Sequence, residues 1–196
     1  MKASAFLMSE DAKKVQALVT NYFFACKDHL RKEVSMDGWI EIPGRPADYY
    51  TSATHVPNRI LGDLVAELHR YKKEGKISEI EFLAMNEEPR LFAEHMGACE
   101  RIHSTPIPYS YSMFIKKMIF FYTMTIPFGI VTTYGYWTLL IVGFIFYAFA
   151  SLELLAEEIE DPFGHDANDL PTDEIAVKIK VQVKEIFEAA EERRRN

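Results

Sequence analysis

The stretch that decides the fold is Met118–Leu152, MIFFYTMTIPFGIVTTYGYWTLLIVGFIFYAFASL, where 35 consecutive residues include no Asp, Glu, Lys, Arg or His. A helix needs about 20 apolar residues to cross the hydrocarbon core of a bilayer. The run is therefore too long for one span and adequate for two, with Thr132–Tyr136 as the turn between them. We predict a transmembrane helical hairpin with spans at about Lys117–Tyr134 and Trp137–Leu155.

The basic residues around the hairpin predict its orientation. Lys116 and Lys117 flank the first span, many more Lys and Arg residues lie before them, and the turn has none. Because basic residues favour the cytoplasmic side of a membrane, both termini are expected in the cytoplasm of a multi-pass protein of the cell or bacterial inner membrane. The alternative is a buried hairpin of a soluble protein, which the length of the uncharged run disfavours.

The rest of the chain has the periodicity of helices. Apolar residues recur every three or four positions in Asp11–Val34, Asn58–Glu74 and Ser78–Ile102, with a restart expected near Pro89. Strand patterns and internal repeats are absent from the sequence, so the fold class is all-α. The net charge is −7, and without a basic patch a nucleic-acid partner is disfavoured.

Acidic residues crowd the segment Glu153–Glu174, which begins at the end of the second span. Carboxylates at the C-terminal end of a helix oppose its dipole and repel one another, so they need water, basic partners or a cation. A solvated surface is the interpretation that electrostatics alone favours. A Ca²⁺ site built on carboxylates and carbonyls and a ring that concentrates cations at a pore mouth are the alternatives.

Enzymatic motifs are not visible in the sequence. The six histidines have no metal-ligand spacing along the chain, and no nucleophile–base pair or Gly-rich phosphate loop stands out. Catalysis is therefore disfavoured, and no cofactor is required. A membrane-bound metalloenzyme or metal sensor built on the acidic segment remains an alternative.

Two long runs and two shorter stretches match one known family. The long runs are GACERI (97–102) continued by TPIPYSY (105–111), and EEIEDPFG (157–164) continued by DANDLP (166–171). The shorter ones are PNRIL (57–61) and GKIS (75–78). In this order they resemble the bestrophin family, most closely its bacterial branch, over nearly the whole chain.

The resemblance implies a homo-oligomeric, pentameric ion channel that conducts chloride or other small ions through a bilayer. It divides the chain into a cytoplasmic helical region (1–108), a transmembrane helical hairpin (109–156), and an acidic segment with a C-terminal cytoplasmic helix (157–196). Animal members of the family are activated by calcium, so Ca²⁺ is the one cofactor that it implies. The corresponding ligands would be the side chains of Asp166 and Asp169 and the carbonyls of Glu158 and Asp161.

Two further expectations follow from the family. A cytosolic aperture is placed at Ile80, with Ile77 as the second choice, since a ring of isoleucines narrows a pore and can dewet it. Family members also begin with two transmembrane helices that have no counterpart in this sequence, and one of them lines the pore neck. The alternative function is therefore a non-conducting membrane scaffold, or a truncated subunit that assembles with full-length relatives.

Overall fold

Helices make up the regular structure of the computed structural model, which describes residues 9–166 and 168–195. No β-strand occurs within these ranges, and an isolated bridge joins Ile42 to Arg45. The all-α fold class is confirmed. The helices are α1 (Ser9–Leu30), α2 (Ala47–Thr51), α3 (Val56–Lys73), α4 (Glu79–Ser104), α5 (Tyr109–Tyr134), α6 (Trp137–Glu160) and α7 (Thr172–Arg195).

The chain forms two compact units. The first, within Met1–Arg101 and Pro171–Asn196, holds α1 to α3, most of α4, and α7. The second, Ile102–Leu170, holds the end of α4 together with α5, α6 and the acidic loop that follows α6. The C-terminal helix thus folds with the N-terminal helices, although the hairpin separates them in sequence.

The core of the first unit is centred on α1, which packs against both α3 and α7. Leu18 of α1 and Ile60 of α3 are completely buried, as is Tyr71 near the end of α3. Residues three and four positions apart lie on one face of a helix, so the apolar spacing seen in the sequence becomes the buried face of α1. Burial of this face is the main source of stability for the unit.

The connection between α1 and α2 is fastened to α1 by Asn21. Its buried amide donates from Nδ2 to the carbonyl of Ile40 at 2.7 Å and accepts from the Ile40 N–H at 2.7 Å. Gly38 lies against the ring of Phe24 with φ of +81°, and a Cβ at this position would collide with that ring. The sequence therefore needs glycine at this point of the connection.

Helix α4 is one continuous helix, and the restart expected near Pro89 is wrong. Pro89 lies inside α4 and is buried. Proline removes one helical hydrogen bond and usually kinks or ends a helix. Here the helix continues on both sides of the buried ring, because tertiary packing can override the local preference of a residue.

Helices α5 and α6 form the predicted hairpin, with a turn at Gly135 and Tyr136. They pack against each other, and the rings of Tyr122 and Phe149 meet edge to face at 5.7 Å. Both helices are long and apolar enough to cross a membrane. Their large apolar side chains are mostly exposed, Phe128 by 82%, which is the surface expected of helices covered by lipid or by other helices.

Ion pairs join the end of α1 to the start of α7. Lys27 Nζ lies 2.9 Å from Asp173 Oδ1, and Arg31 Nη1 pairs with Asp173 Oδ2. Hydrogen bonds from these two cations hold the pKa of Asp173 below its ordinary value of 3.8. The carboxylate also lies in the first turn of α7, where negative charge suits the helix dipole.

We expect Asp173→Asn to lower the stability of the first unit slightly at pH 7, by less than about 1 kcal/mol because Asp173 is exposed and the pairs are screened by water. A carboxyl group whose pKa is lower in the folded state stabilises the fold at pH values above its unfolded-state pKa. This stabilisation is lost as the pH falls through the folded-state pKa. The difference between wild type and variant should therefore shrink in acid. Thermal unfolding at pH 7 and pH 3 measures it, with the exposed Asp37→Asn as control, and an equal difference at both pH values would contradict the assignment.

Candidate functional site

The two aperture candidates occupy different environments. Ile77 is buried, with 4% of its surface exposed, whereas Ile80 is 79% exposed in the first turn of α4. Leu83, one turn further along, is also exposed. A buried isoleucine belongs to the core of its own chain, so Ile80 is the one of the pair that is free to contact ions or a neighbouring subunit.

A capping box fixes the position of Ile80. The Ser78 hydroxyl accepts from the Glu81 N–H at 3.3 Å, and the Glu81 carboxylate accepts from the Ser78 N–H at 2.7 Å. The hydrogen bond from the Ser78 N–H lowers the pKa of the Glu81 carboxyl group. Both bonds satisfy N–H groups that have no partner within the helix. Helix α4 therefore begins at a defined residue, with Ile80 held on its outer surface.

The acidic loop after α6 is closed by Asp169. Its Oδ2 atom accepts from the Asp166 N–H at 2.7 Å, and its own N–H donates to the Asp166 carbonyl at 3.0 Å. The loop closes again where the Leu170 N–H donates to the Pro162 carbonyl at 2.9 Å. Gly164 leaves room for the Asp169 carboxylate, since a Cβ at this position would lie 2.6 Å from Oδ2.

Glu158 and Asp161, whose carbonyls are the other calcium candidates, have partners for their side chains. Glu158 Oε2 accepts from Asn168 Nδ2 at 2.9 Å, and Asp161 Oδ1 lies 3.7 Å from His103 Nδ1. The structure thus links Asp166 directly to Asp169. Within the described part of the loop, no three carboxylate or histidine ligand atoms converge within 4.8 Å, and the calcium site stays a prediction.

A cluster that the sequence did not reveal lies in the first unit. His29 Nε2 is 2.8 Å from Glu100 Oε1, and His55 Nε2 is 2.7 Å from the same oxygen. The two imidazole rings lie 4.3 Å apart between centroids. His29 comes from the end of α1, His55 from the residue before α3, and Glu100 from α4. We name these three residues the His–His–Glu cluster.

A neighbouring hydrogen bond indicates which imidazole nitrogen of His55 carries a proton. His55 caps α3, because its Nδ1 atom accepts from the Asn58 N–H at 3.2 Å. A neutral imidazole has one N–H, so Nε2 carries the proton and donates to Glu100. Partial burial raises the pKa of Glu100, but hydrogen bonds from His55 and His29 outweigh it and hold the pKa below its ordinary value of 4.5.

The cluster had no signal in the sequence because its members are far apart. Glu100 is 71 positions from His29 and 45 from His55. Local spacing reveals a metal or catalytic site only when its ligands lie on one helix or loop. Here three separate elements supply one residue each, so only the tertiary fold brings them together.

Comparison with known proteins identifies the family. The model of the bacterial and fungal bestrophin proteins matches residues 4–185. A voltage-dependent anion channel-forming protein of Synechocystis is 31% identical over 180 residues, which cover 91% of this chain and 59% of that protein. The voltage-dependent anion channel-forming protein YneE of Escherichia coli is 36% identical over 134 residues, 68% of this chain and 44% of that protein.

The fold is similar to a solved structure as well. A bacterial bestrophin homolog from Klebsiella pneumoniae matches with a TM-score of 0.83 and 28% identity, covering 91% of this chain and 68% of the homolog. The chain spans about half of the length of the relatives YneE and the Synechocystis protein. With two apolar helices of membrane-spanning length, the protein is a membrane protein. The chain belongs to the bacterial and fungal bestrophin family.

Proposed function

We propose that this chain is part of the subunit of a homo-oligomeric channel that conducts chloride or other small anions across the membrane. The observation that carries the proposal is its 31% identity, over 91% of its length, to a voltage-dependent anion channel-forming protein. The fold match to a bestrophin homolog supports the same function. A channel, unlike an enzyme, needs no catalytic group in this chain, only a pore surface and a membrane anchor.

The exposed start of α4 is the pore surface that we propose. Ile80 protrudes from a helix whose first turn is fixed by the Ser78–Glu81 capping box. Apolar side chains that converge from several subunits narrow a pore and can gate it by dewetting. Self-association through a central axis would place the copies of Ile80 around that axis, which explains why a large apolar side chain is exposed on the single chain.

The hairpin is the proposed membrane anchor, with both of its ends on the cytoplasmic side. Lys116 of α5 pairs with Glu153 and Glu157 of α6, each at 3.1 Å. These pairs mark the open end of the hairpin as a polar zone, while the turn around Gly135 has no basic residue. The distribution follows the tendency of basic residues to stay in the cytoplasm.

Chloride efflux tests this function. The complete gene product that carries this chain is reconstituted in liposomes loaded with KCl, and external chloride is followed after the outside salt is exchanged. We expect efflux well above that of protein-free liposomes. A non-conducting scaffold predicts no efflux at all. An added Ca²⁺ series, repeated with Asp169→Asn, tests whether the acidic loop regulates the flux, as the resemblance implies.

A further inference from the structure

We propose that the His–His–Glu cluster binds a divalent transition-metal ion, with Zn²⁺ as the expected occupant. The cluster lies in the first helical unit and includes no residue of the acidic loop or of the proposed aperture, so its metal binding is an independent proposal. It does not depend on whether the protein conducts ions.

The donor set of the cluster is the first reason. One ligand atom from each of His29, His55 and Glu100 lies within 4.8 Å of the others. Two imidazole nitrogens and one carboxylate oxygen suit zinc and similar ions, whereas calcium and magnesium prefer oxygen ligands alone. Zinc holds nitrogen ligands at about 2.0–2.1 Å, so the donors need to separate by only a few tenths of an ångström to admit the ion between them.

Access from solvent is the second reason. The three side chains are only partly exposed, by 29% for His29, 27% for His55 and 36% for Glu100. His29 also lines a cavity of about 230 Å³, together with Asp28 and with Val56 of α3. Three protein ligands leave coordination positions open for water, and this arrangement gives the ion a path to the cluster without unfolding any helix.

Ionised Glu100 supplies the charge that such an ion needs. Glu100 Oε1 lies within hydrogen-bond distance of both imidazole Nε2 atoms, and metal binding replaces the two N–H donors with the ion. His55 then carries its proton on Nδ1, so the capping bond from the Asn58 N–H is lost. One such hydrogen bond contributes less than a metal–imidazole bond does, so the exchange favours binding.

The competing explanation is that the cluster is only a hydrogen-bonded link between α1, α3 and α4. Both explanations predict lower stability when Glu100 is replaced. They differ in what Zn²⁺ or Co²⁺ does to the intact protein. A metal site gives saturable binding and a Co²⁺ absorption spectrum, and a hydrogen-bonded link gives neither.

The test is a titration of the detergent-solubilised, metal-free protein with ZnCl₂ by calorimetry, and with CoCl₂ by visible absorption. We expect one ion per chain, visible bands typical of four- or five-coordinate Co²⁺, and a higher unfolding temperature in Zn²⁺. His29→Asn, His55→Asn and Glu100→Gln should each weaken binding by more than the roughly 10- to 100-fold that is lost when an outer-shell partner is removed.

Control variants outside the cluster test whether the ion binds at the cluster. His95→Asn changes an exposed histidine of α4 and should leave the affinity unchanged, as should Asp169→Asn in the acidic loop. Circular dichroism of the same samples guards against variants that merely unfold, since it shows whether their helices are intact. The proposal is overturned if wild type shows no saturable binding, or if the cluster variants bind as tightly as His95→Asn.

Discussion

Leu18→Ala is expected to lower the free energy of unfolding of the first helical unit by about 3 kcal/mol. Leu18 is completely buried on α1, the helix that packs against both α3 and α7. Truncating a buried leucine loses its transfer free energy and leaves a cavity, which together cost about 2–5 kcal/mol. Denaturation can be followed by the fluorescence of Trp39, in a Trp137→Phe background where Trp39 is the sole tryptophan.

Leu83→Ala in the same background is the matched control. Leu83 is 61% exposed, so the same chemical change should alter stability by no more than about 0.5 kcal/mol. Similar losses for the two variants would contradict the packing described for α1. A Leu18→Ala variant as stable as the parent protein would contradict it as well.

Ile80→Ala is expected to raise the single-channel conductance of the complete gene product several-fold. The side chain is exposed at a capped helix start, and in a homo-oligomer every subunit would lose the same methyl and methylene groups from the constriction. A wider and less apolar ring is more easily wetted by water and ions. Recordings from planar bilayers in symmetric KCl measure the change.

Ile77→Ala distinguishes a pore effect from a packing effect. Ile77 is three residues away and buried, so its truncation should lower stability and leave the conductance of the folded protein unchanged. If both variants changed conductance alike, or if Ile80→Ala left it unaltered, the aperture would lie elsewhere.

The hairpin was predictable from sequence because a membrane span requires an uncharged run. Its ends were not, since the helices continue past the uncharged residues. Helix α5 begins at Tyr109 and α6 extends to Glu160, so Lys116 and Glu157 are helical and pair with each other. The charge pattern shows where a bilayer could lie, whereas backbone hydrogen bonds decide where a helix stops.

The candidate sites also differ in how far the sequence reveals them, depending on whether their residues are close in sequence or are brought together by the tertiary fold. The contact between Asp166 and Asp169 is local, and the family resemblance already implied those two residues. The choice between Ile80 and Ile77 depends on which side chain is exposed, and only the structure shows this. The start of α4 could have been located from sequence, because Ser78 and Glu81 have the spacing of a capping box. The cluster of His29, His55 and Glu100 exists only because the tertiary fold brings together the end of α1, the residue before α3, and α4.

The central claim, that the protein conducts anions, is tested most directly by the reversal potential of the complete gene product in a planar bilayer with asymmetric KCl. We expect a macroscopic current whose reversal potential lies close to the equilibrium potential of chloride. A reversal potential close to that of potassium would show a cation channel. The absence of current from protein that is shown to be inserted and oligomeric would contradict channel function altogether.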